Sequence, residues 1–232
     1  MIGLHEIKES FLHLLFPHIC AGCGSDIISE ESVLCMHCVA ELPETNFEKH
    51  QNNPVEKLFY GRLQLANASS QYYFSKESLI QRLMHLLKYK GNKDLGLQLG
   101  RMMGQSLKDS GRFEVDALIP LPLFPAKQKR RGYNQSAIIC DGMKETMNIP
   151  VWNDVITRPQ HTETQTRKGR IERWKNIEGK FELITPQKIS GKHILLVDDI
   201  LTTGATLEAC GGELLNAENV KLSVATLCKT TG

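Results

Sequence analysis

The sequence between Ile194 and Thr206 reads ILLVDDILTTGAT, and the expected architecture follows from it. Four apolar residues predict a buried strand, Asp198 and Asp199 come next, and residues 202–206 open a helix. Small and hydroxylic residues at a helix start offer backbone N–H groups and the positive end of the helix dipole, which together bind a phosphate. Adjacent carboxylates accept hydrogen bonds from sugar hydroxyls or help to hold a hydrated Mg²⁺. The order of these parts predicts a ribose 5-phosphate site.

Each part of this stretch also has an ordinary interpretation. Two acids after a strand can be a solvated strand exit, and Thr-Thr-Gly can be a simple turn. The sequence contains no GxxxxGK[ST] stretch, so a nucleoside-triphosphatase loop is excluded. The ordered combination of strand, acid pair, small-residue loop and helix favours the ligand site over the separate ordinary interpretations.

Helical and strand patterns alternate along most of the chain. We expect helices over 79–91, capped by Ser75, and over 95–107, 134–147 and 205–215; we expect strands over 115–119, 151–157, 192–197 and 220–227. Such alternation predicts an α/β fold with an open, mostly parallel sheet and helices on both faces. Ligands of such sheets bind at the carboxyl ends of the strands.

Four of the seven cysteines form two pairs, Cys20-x2-Cys23 and Cys35-x2-Cys38. Two such turns present four sulfur atoms in the tetrahedron that Zn²⁺ prefers, and four protein ligands leave no open position, so the zinc would be structural. Redox pairs and disulfides are the alternatives. An odd cysteine count argues against disulfides, and a redox site needs only one pair. His18 and His37 could replace a ligand, but we interpret them as exposed loop residues.

Residues 41–67 are polar and contain several Asn and Pro, which predicts a connection with a short helix near Val55–Tyr60. We therefore divide the chain into two parts. Residues 1–60 would hold an N-terminal helix, the zinc module and a linker, and residues 61–232 the main domain.

Charge and hydropathy narrow the class of protein. The 232 residues carry a formal net charge of +2, and no apolar run reaches the roughly 18 residues of a membrane-spanning helix. Residues 1–16 mix charges with apolar residues at helical spacing, unlike a signal peptide, so we expect a cytoplasmic protein without membrane insertion. Positive charge is concentrated in residues 127–176, with eleven Lys and Arg against five Asp and Glu.

The stretch 194–206 resembles the phosphoribosyl diphosphate (PRPP) motif of type I phosphoribosyltransferases. Other segments resemble the competence-associated ComF family, which also carries an N-terminal four-cysteine zinc site. These segments are LKYKG at 87–91, IPLPLFPAKQKRRGYNQ at 119–135, Thr162-x2-Gln165, and Arg173-x2-Asn176-x2-Gly179-x-Phe181. The resemblance covers nearly the whole chain and implies the type I phosphoribosyltransferase fold.

The resemblance also implies roles for individual residues. Asp198 and Asp199 would meet the ribose hydroxyls, and Mg²⁺ would accompany PRPP. The 5-phosphate would be bound by Thr202, Thr203, Gly204, Ala205 and Thr206. The loop after the 115–119 strand would face the diphosphate, and the polar stretch 158–176 would close over it. Candidate catalytic residues in these two segments are Arg131, Arg158, Arg170 and Arg173.

Two functions fit these observations. As an enzyme, the protein would transfer ribose 5-phosphate from PRPP to an unidentified nitrogen nucleophile and release diphosphate. As a binding module, it would keep the PRPP site while the basic stretch binds single-stranded DNA or a DNA-uptake partner, although that stretch has only Tyr133, Trp152 and Trp174 for base stacking. We favour the enzyme because transfer must exclude water, and residues 158–176 have the polarity and charge of a cover.

Overall fold

A parallel sheet of four strands forms the centre of the protein. The computed structural model describes residues 18–159 and 181–231. In these ranges the strands are β1 (Ala68–Phe74), β2 (Ala117–Pro120), β3 (Ile156–Thr157), β4 (Glu182–Leu183), β5 (His193–Leu201) and β6 (Lys221–Thr230). The sheet order is β1-β6-β5-β2, with every pair parallel, and β3 and β4 form a separate antiparallel pair.

Helices cover both faces of the sheet. They are α1 (Met36–Ala40), a 3₁₀ turn (Phe47–Lys49), α2 (Pro54–Phe59), α3 (Leu79–Tyr89), α4 (Lys93–Asp109), α5 (Pro125–Arg131), α6 (Gln135–Met147), α7 (Pro186–Ile189) and α8 (Ala205–Leu214). Successive side chains of a strand point to opposite faces. Leu195 of β5 accordingly packs in a cluster with α3, α4 and α6, whereas Leu196 packs in a second cluster with α2, α7 and α8. The expected open α/β sheet with two covered faces is confirmed.

Helices α4 and α6 pack unusually closely because glycines face each other between them. A Cβ added to Gly100 of α4 would overlap the Ile139 carbonyl, and one added to Gly142 of α6 would overlap the Leu97 carbonyl. Only glycine permits this backbone approach. The contact matters for function because α6 carries Ser136, one of the residues that meet the acid pair, in its first turn.

Several expected elements are confirmed and others are wrong. The helices α3, α4, α6 and α8 and the strands β5 and β6 occur where their patterns placed them, although α3 is capped by Ser78 rather than Ser75. The expected strand over 151–157 is wrong: Val151 makes a single bridge to Leu118, and only the two residues of β3 pair further along. The expected N-terminal helix over 1–16 lies outside the described residues.

Residues 41–67 are more ordered than their polar sequence predicted. Pro43 and Thr45 bond to Tyr73 and Gln71, which covers the outer edge of β1. The Asn53 side chain caps α2 and also donates to three carbonyls, including that of Ala68. Phe59 is buried in the same cluster as α8. The division of the chain at residue 60 stays a prediction.

The cysteine-containing segment packs on the main sheet's helices. Its residues Cys20, Leu34 and Cys38 belong to the cluster that contains α3 and α4. The Gln98 side chain of α4 accepts hydrogen bonds from the backbone N–H groups of Val33 and Leu34, at 2.7 and 3.1 Å. None of the helices in the described ranges has the length and apolar character of a membrane-spanning segment.

Candidate functional site

The acid pair lies on a part of β5 that has a neighbour on one side only. The ladder between β5 and β2 ends at Val197 and Pro120, whereas the ladder between β5 and β6 continues to Leu201. Asp198 and Asp199 are therefore inside the strand rather than after it, because β6 continues to supply hydrogen-bond partners. They occupy the carboxyl end of β5, where ligands of open parallel sheets bind.

Asp198 is held from two directions. Its Oδ1 accepts hydrogen bonds from the Ser136 hydroxyl at 3.0 Å and from the backbone N–H of Asp199 at 2.8 Å. Burial, followed by the neighbouring Asp199 carboxylate, raises the pKa of Asp198 from 3.8 to about 7, and the two hydrogen bonds oppose this rise. The surroundings of Asp198 therefore favour its protonated form more than water does.

Asp199 forms an ion pair with Lys88, with 2.9 Å between Nζ and Oδ2 and only 19% and 13% of the two side chains exposed. Lys88 lies in the last turn of α3, in the LKYKG segment. The Tyr133 hydroxyl donates to the Leu87 carbonyl, which ties this turn to the loop before α6. Sequence reasoning missed Lys88 and Ser136 as site residues; for Lys88 the available signal was its place in the LKYKG segment.

The predicted phosphate-binding loop, residues 202–206, joins β5 to α8. Thr202, Thr203 and Thr206 are exposed, and Gly204 is the N-cap of α8 with a φ of +77°. A Cβ at Gly204 would lie 3.0 Å from the Phe59 ring, so both conformation and packing require glycine. The loop therefore leads into the N-terminus of α8, whose first residues Ala205 and Thr206 are exposed.

The basic residues predicted for the diphosphate lie in different surroundings. The Arg131 guanidinium hydrogen-bonds Gln135 and lies 5.5 Å from the centroid of the Tyr89 ring, next in sequence to Lys88. The Arg158 guanidinium lies near two rings, 5.1 Å from the centroid of Phe181 and 5.8 Å from that of Phe124. Arg170 and Arg173, and most of the stretch 158–176, lie outside the described residues.

The four paired cysteines converge on one point. Their sulfur atoms all lie within 4.8 Å of one another, and those of Cys23 and Cys35 are 3.7 Å apart. Tetrahedral Zn–S bonds of about 2.3 Å place sulfurs about 3.8 Å apart, so the cluster has the spacing to hold a zinc ion. Burial alone would raise the pKa of Cys20, but N–H donors from Cys35, Cys23 and Gly22 lower it to about 6. Burial and the contacts with the other three thiols raise the pKa of Cys38.

The two histidines near this cluster have other contacts. His18 Nε2 lies 2.7 Å from the Ser32 carbonyl oxygen, and His37 lies 3.6 Å from the Glu41 carboxylate in an exposed pair. The four cysteines are thus the group that meets the geometry of a metal site among the described residues.

Comparisons with known proteins support this description. A family model for the phosphoribosyl transferase domain matches residues 158–231. Competence protein F of Haemophilus influenzae is 28% identical over 202 residues, which cover 84% of this chain and 83% of that protein. DNA utilization protein YhgH of Salmonella typhimurium is 29% identical over 152 residues, 64% of this chain and 66% of that protein.

A solved structure, the glutamine PRPP amidotransferase from B. subtilis complexed with ADP and GMP, aligns with a TM-score of 0.41 and 16% identity over 61% of this chain and 30% of that one. The domain match includes the acid pair and the loop after it. The chain is thus similar to competence-associated proteins over most of its length, and its residues 158–231 match a phosphoribosyl transferase domain.

Proposed function

We propose that this protein binds PRPP with Mg²⁺ at the carboxyl end of β5 and transfers its ribose 5-phosphate to a nitrogen nucleophile. One observation carries the proposal: a half-buried acid pair and a small-residue loop at a helix N-terminus lie on one continuous strand–loop–helix unit, residues 193–214. We place this function in the cytoplasm, and we propose that the four cysteines hold a structural Zn²⁺.

Each part of the unit has a task in this reaction. The carboxylates of Asp198 and Asp199 accept hydrogen bonds from the ribose hydroxyls, and the N–H groups and hydroxyls of residues 202–206 bind the 5-phosphate. Oxygen ligands of this kind suit Mg²⁺, which would neutralise charge on the diphosphate. Lys88 adds positive charge at the acid pair, and the Arg131 guanidinium lies over the ring of Tyr89, the next residue of α3.

Transfer needs little further chemistry from the protein. The bond between C1 of the ribose and the diphosphate oxygen breaks, the oxygen keeps the electron pair, and the nucleophile's nitrogen bonds to C1 and loses its proton to solvent. The residues contribute by positioning the sugar and by stabilising the leaving diphosphate electrostatically.

Release of diphosphate from PRPP, measured with a panel of nucleobases and amines, tests the proposed reaction. We expect release with at least one acceptor, and loss of that release in the variant with Asp198→Asn and Asp199→Asn. The matched control is Glu145→Gln, because Glu145 is an exposed acid at the other end of α6 from Ser136. Release that is unchanged in the double variant would refute this site.

A second function, binding of single-stranded DNA, is favoured by a surface beside the site. Helix α5 has no buried residue and presents Lys127, Lys129, Arg130 and Arg131. At its end the Arg131 guanidinium lies over Tyr89, a ring 60% exposed and 5.1 Å from the His85 ring. Exposed rings among positive charges bind single strands by base stacking and phosphate contacts.

Binding of a fluorescent oligothymidine, measured by anisotropy at several salt concentrations, tests the second function. Tyr89→Ala should weaken DNA binding by removing the stacking surface, about fivefold to a hundredfold for one stacked base. Tyr60→Ala is the control, since Tyr60 is similarly exposed at 58% but lies after α2. Equal DNA affinity in both variants would count against this surface.

A further inference from the structure

Arg62, a residue outside the phosphate-binding loop, is bonded to that loop and to the helix that follows it. Its Nη1 donates to the carbonyl oxygen of Thr203 at 3.1 Å and to that of Leu58 at 3.3 Å. Its Nε and Nη2 both donate to one carboxylate oxygen of Glu208, at 3.1 and 2.5 Å. One guanidinium therefore joins the end of α2, the loop 202–206 and the first turn of α8.

The bond to Thr203 fixes the direction of the next N–H group. In a trans peptide the carbonyl and the following N–H point in opposite directions. Because Arg62 holds the Thr203 carbonyl on its own side of the loop, the N–H of Gly204 points to the other side. The ring of Phe59 closes the space beside Gly204 on the α2 side, which leaves the opposite side of the loop for a ligand.

The bonds from Arg62 to Glu208 reduce the negative charge at the N-terminus of α8. Glu208 is in the first turn of α8, where a carboxylate is favourable for the helix dipole but repels an anionic ligand at the same helix end. Arg62 neutralises that carboxylate at contact distance, and both side chains remain about one-third exposed. The N-terminus of α8 thus keeps its positive potential for an incoming phosphate.

We propose that Arg62 is a positioning residue for the 5-phosphate subsite, setting the Gly204 N–H through the Thr203 carbonyl and cancelling the charge of Glu208. The proposal rests on the proposed function. It makes ligand affinity depend on the segment that follows α2, which belongs neither to the loop 202–206 nor to the acid pair.

Calorimetric titration of the full-length protein with PRPP and Mg²⁺, for the unaltered chain and four variants, tests this role. We expect Arg62→Ala to weaken binding about tenfold, the scale of one lost charge-assisted hydrogen bond. Glu208→Gln should bind as tightly as the unaltered chain or more tightly, because it removes the repelling charge and leaves the Thr203 bond in place. The combination of both changes should recover part of the loss, and Arg101→Ala, which breaks the exposed Arg101–Glu145 pair, should change nothing.

The direction of the Glu208 effect separates positioning from mere stability. Both single variants break the same ion pair, so a role of Arg62 confined to that ion pair would make Arg62→Ala and Glu208→Gln lose the same affinity. That equality, or unchanged affinity in Arg62→Ala, would overturn the proposal. Failure of the unaltered chain to bind PRPP would be a different result, because it would overturn the proposed function itself.

Discussion

The surroundings of the Asp198 carboxyl favour its protonated form. Its pKa of about 7 lies above the ordinary 3.8 because of burial and then the Asp199 charge. A carboxyl whose pKa is raised by folding binds a proton more tightly in the folded chain, so its contribution to stability is fully present below pH 3.8 and is lost as the pH rises to about 7. The ionised form of Asp198 therefore destabilises the ligand-free protein, and hydrogen bonds from a ligand to this carboxylate would offset that cost.

Asp198→Asn should stabilise the ligand-free protein in a pH-dependent way. The amide keeps an oxygen that accepts from Ser136 and from the Asp199 N–H, but it has no charge to bury. We expect no gain below about pH 4 and a gain of roughly 2–4 kcal/mol above pH 7. Urea unfolding of both proteins across pH 4–8 measures this difference, and a gain that is constant with pH would contradict the assignment.

Gly204 is the position in the loop 202–206 where the fold least tolerates a side chain. Gly204→Ala should destabilise the protein by about 1–3 kcal/mol, because alanine is disfavoured at positive φ and its Cβ would press on the Phe59 ring. The matched control is Gly212→Ala in the same helix, where a Cβ meets no atom within 4 Å. That change should stabilise by about 0.5–1 kcal/mol. Thermal unfolding of the two variants gives the comparison, and similar effects would contradict it.

At the level of residues, the local sequence predicted only those candidate site residues that lie within one short segment. The acid pair and the loop 202–206 are contiguous, so their order along the chain was sufficient. Lys88, Ser136 and Arg62 reach the same unit from three other elements. Their contacts depend on how the chain returns to the sheet, which no local pattern contains.

Among the elements, strand β1 and helix α5 were not predicted, because their composition is unusual for a strand and a helix. Strand β1 reads ASSQYYF, with Ser69, Ser70 and Gln71 buried, so no apolar run marked it as a strand. Helix α5 follows two prolines and has no buried side chain, so no apolar periodicity announced it. Patterns identify elements that bury one apolar face, and these two elements do not.

The cysteine cluster gives a prediction at the scale of one structural module. Elemental analysis of the purified protein should give one zinc per chain, and Cys38→Ser should lower that content because the buried Cys38 sulfur lies within the four-sulfur group. His37→Ala should keep the zinc, since His37 is exposed and pairs with Glu41. Absence of stoichiometric zinc, or loss of it in His37→Ala, would contradict the four-cysteine site.

Loss of the metal should reach beyond the cysteine segment. Leu34 and Cys38 share a buried cluster with α3 and α4, and Gln98 bonds the backbone at Val33 and Leu34. We therefore expect hydrogen exchange in α3, which carries Lys88, to rise when zinc is removed by a chelator. A rise confined to residues before 40 would instead mean that the module is independent of the site.

For the whole molecule, the fold explains why the candidate site residues gather at the carboxyl end of β5. Strand β5 passes the end of β2 while it still pairs with β6, so its acids lie beyond the last residue of β2. The N-terminus of α6 supplies Ser136 and the end of α3 supplies Lys88 to the same two carboxylates. The sheet, the cysteine module and the segment before β1 thus all contact elements that form the proposed ligand site.

Calorimetric titration with PRPP and Mg²⁺ tests the central claim most directly. The unaltered chain should bind with a stoichiometry of one. The variant with Asp198→Asn and Asp199→Asn should show no measurable binding although it remains folded, and Glu145→Gln, altered at the far end of α6, should bind like the unaltered chain. Equal affinity in all three proteins, or no binding by the unaltered chain, would contradict a PRPP site at the carboxyl end of β5.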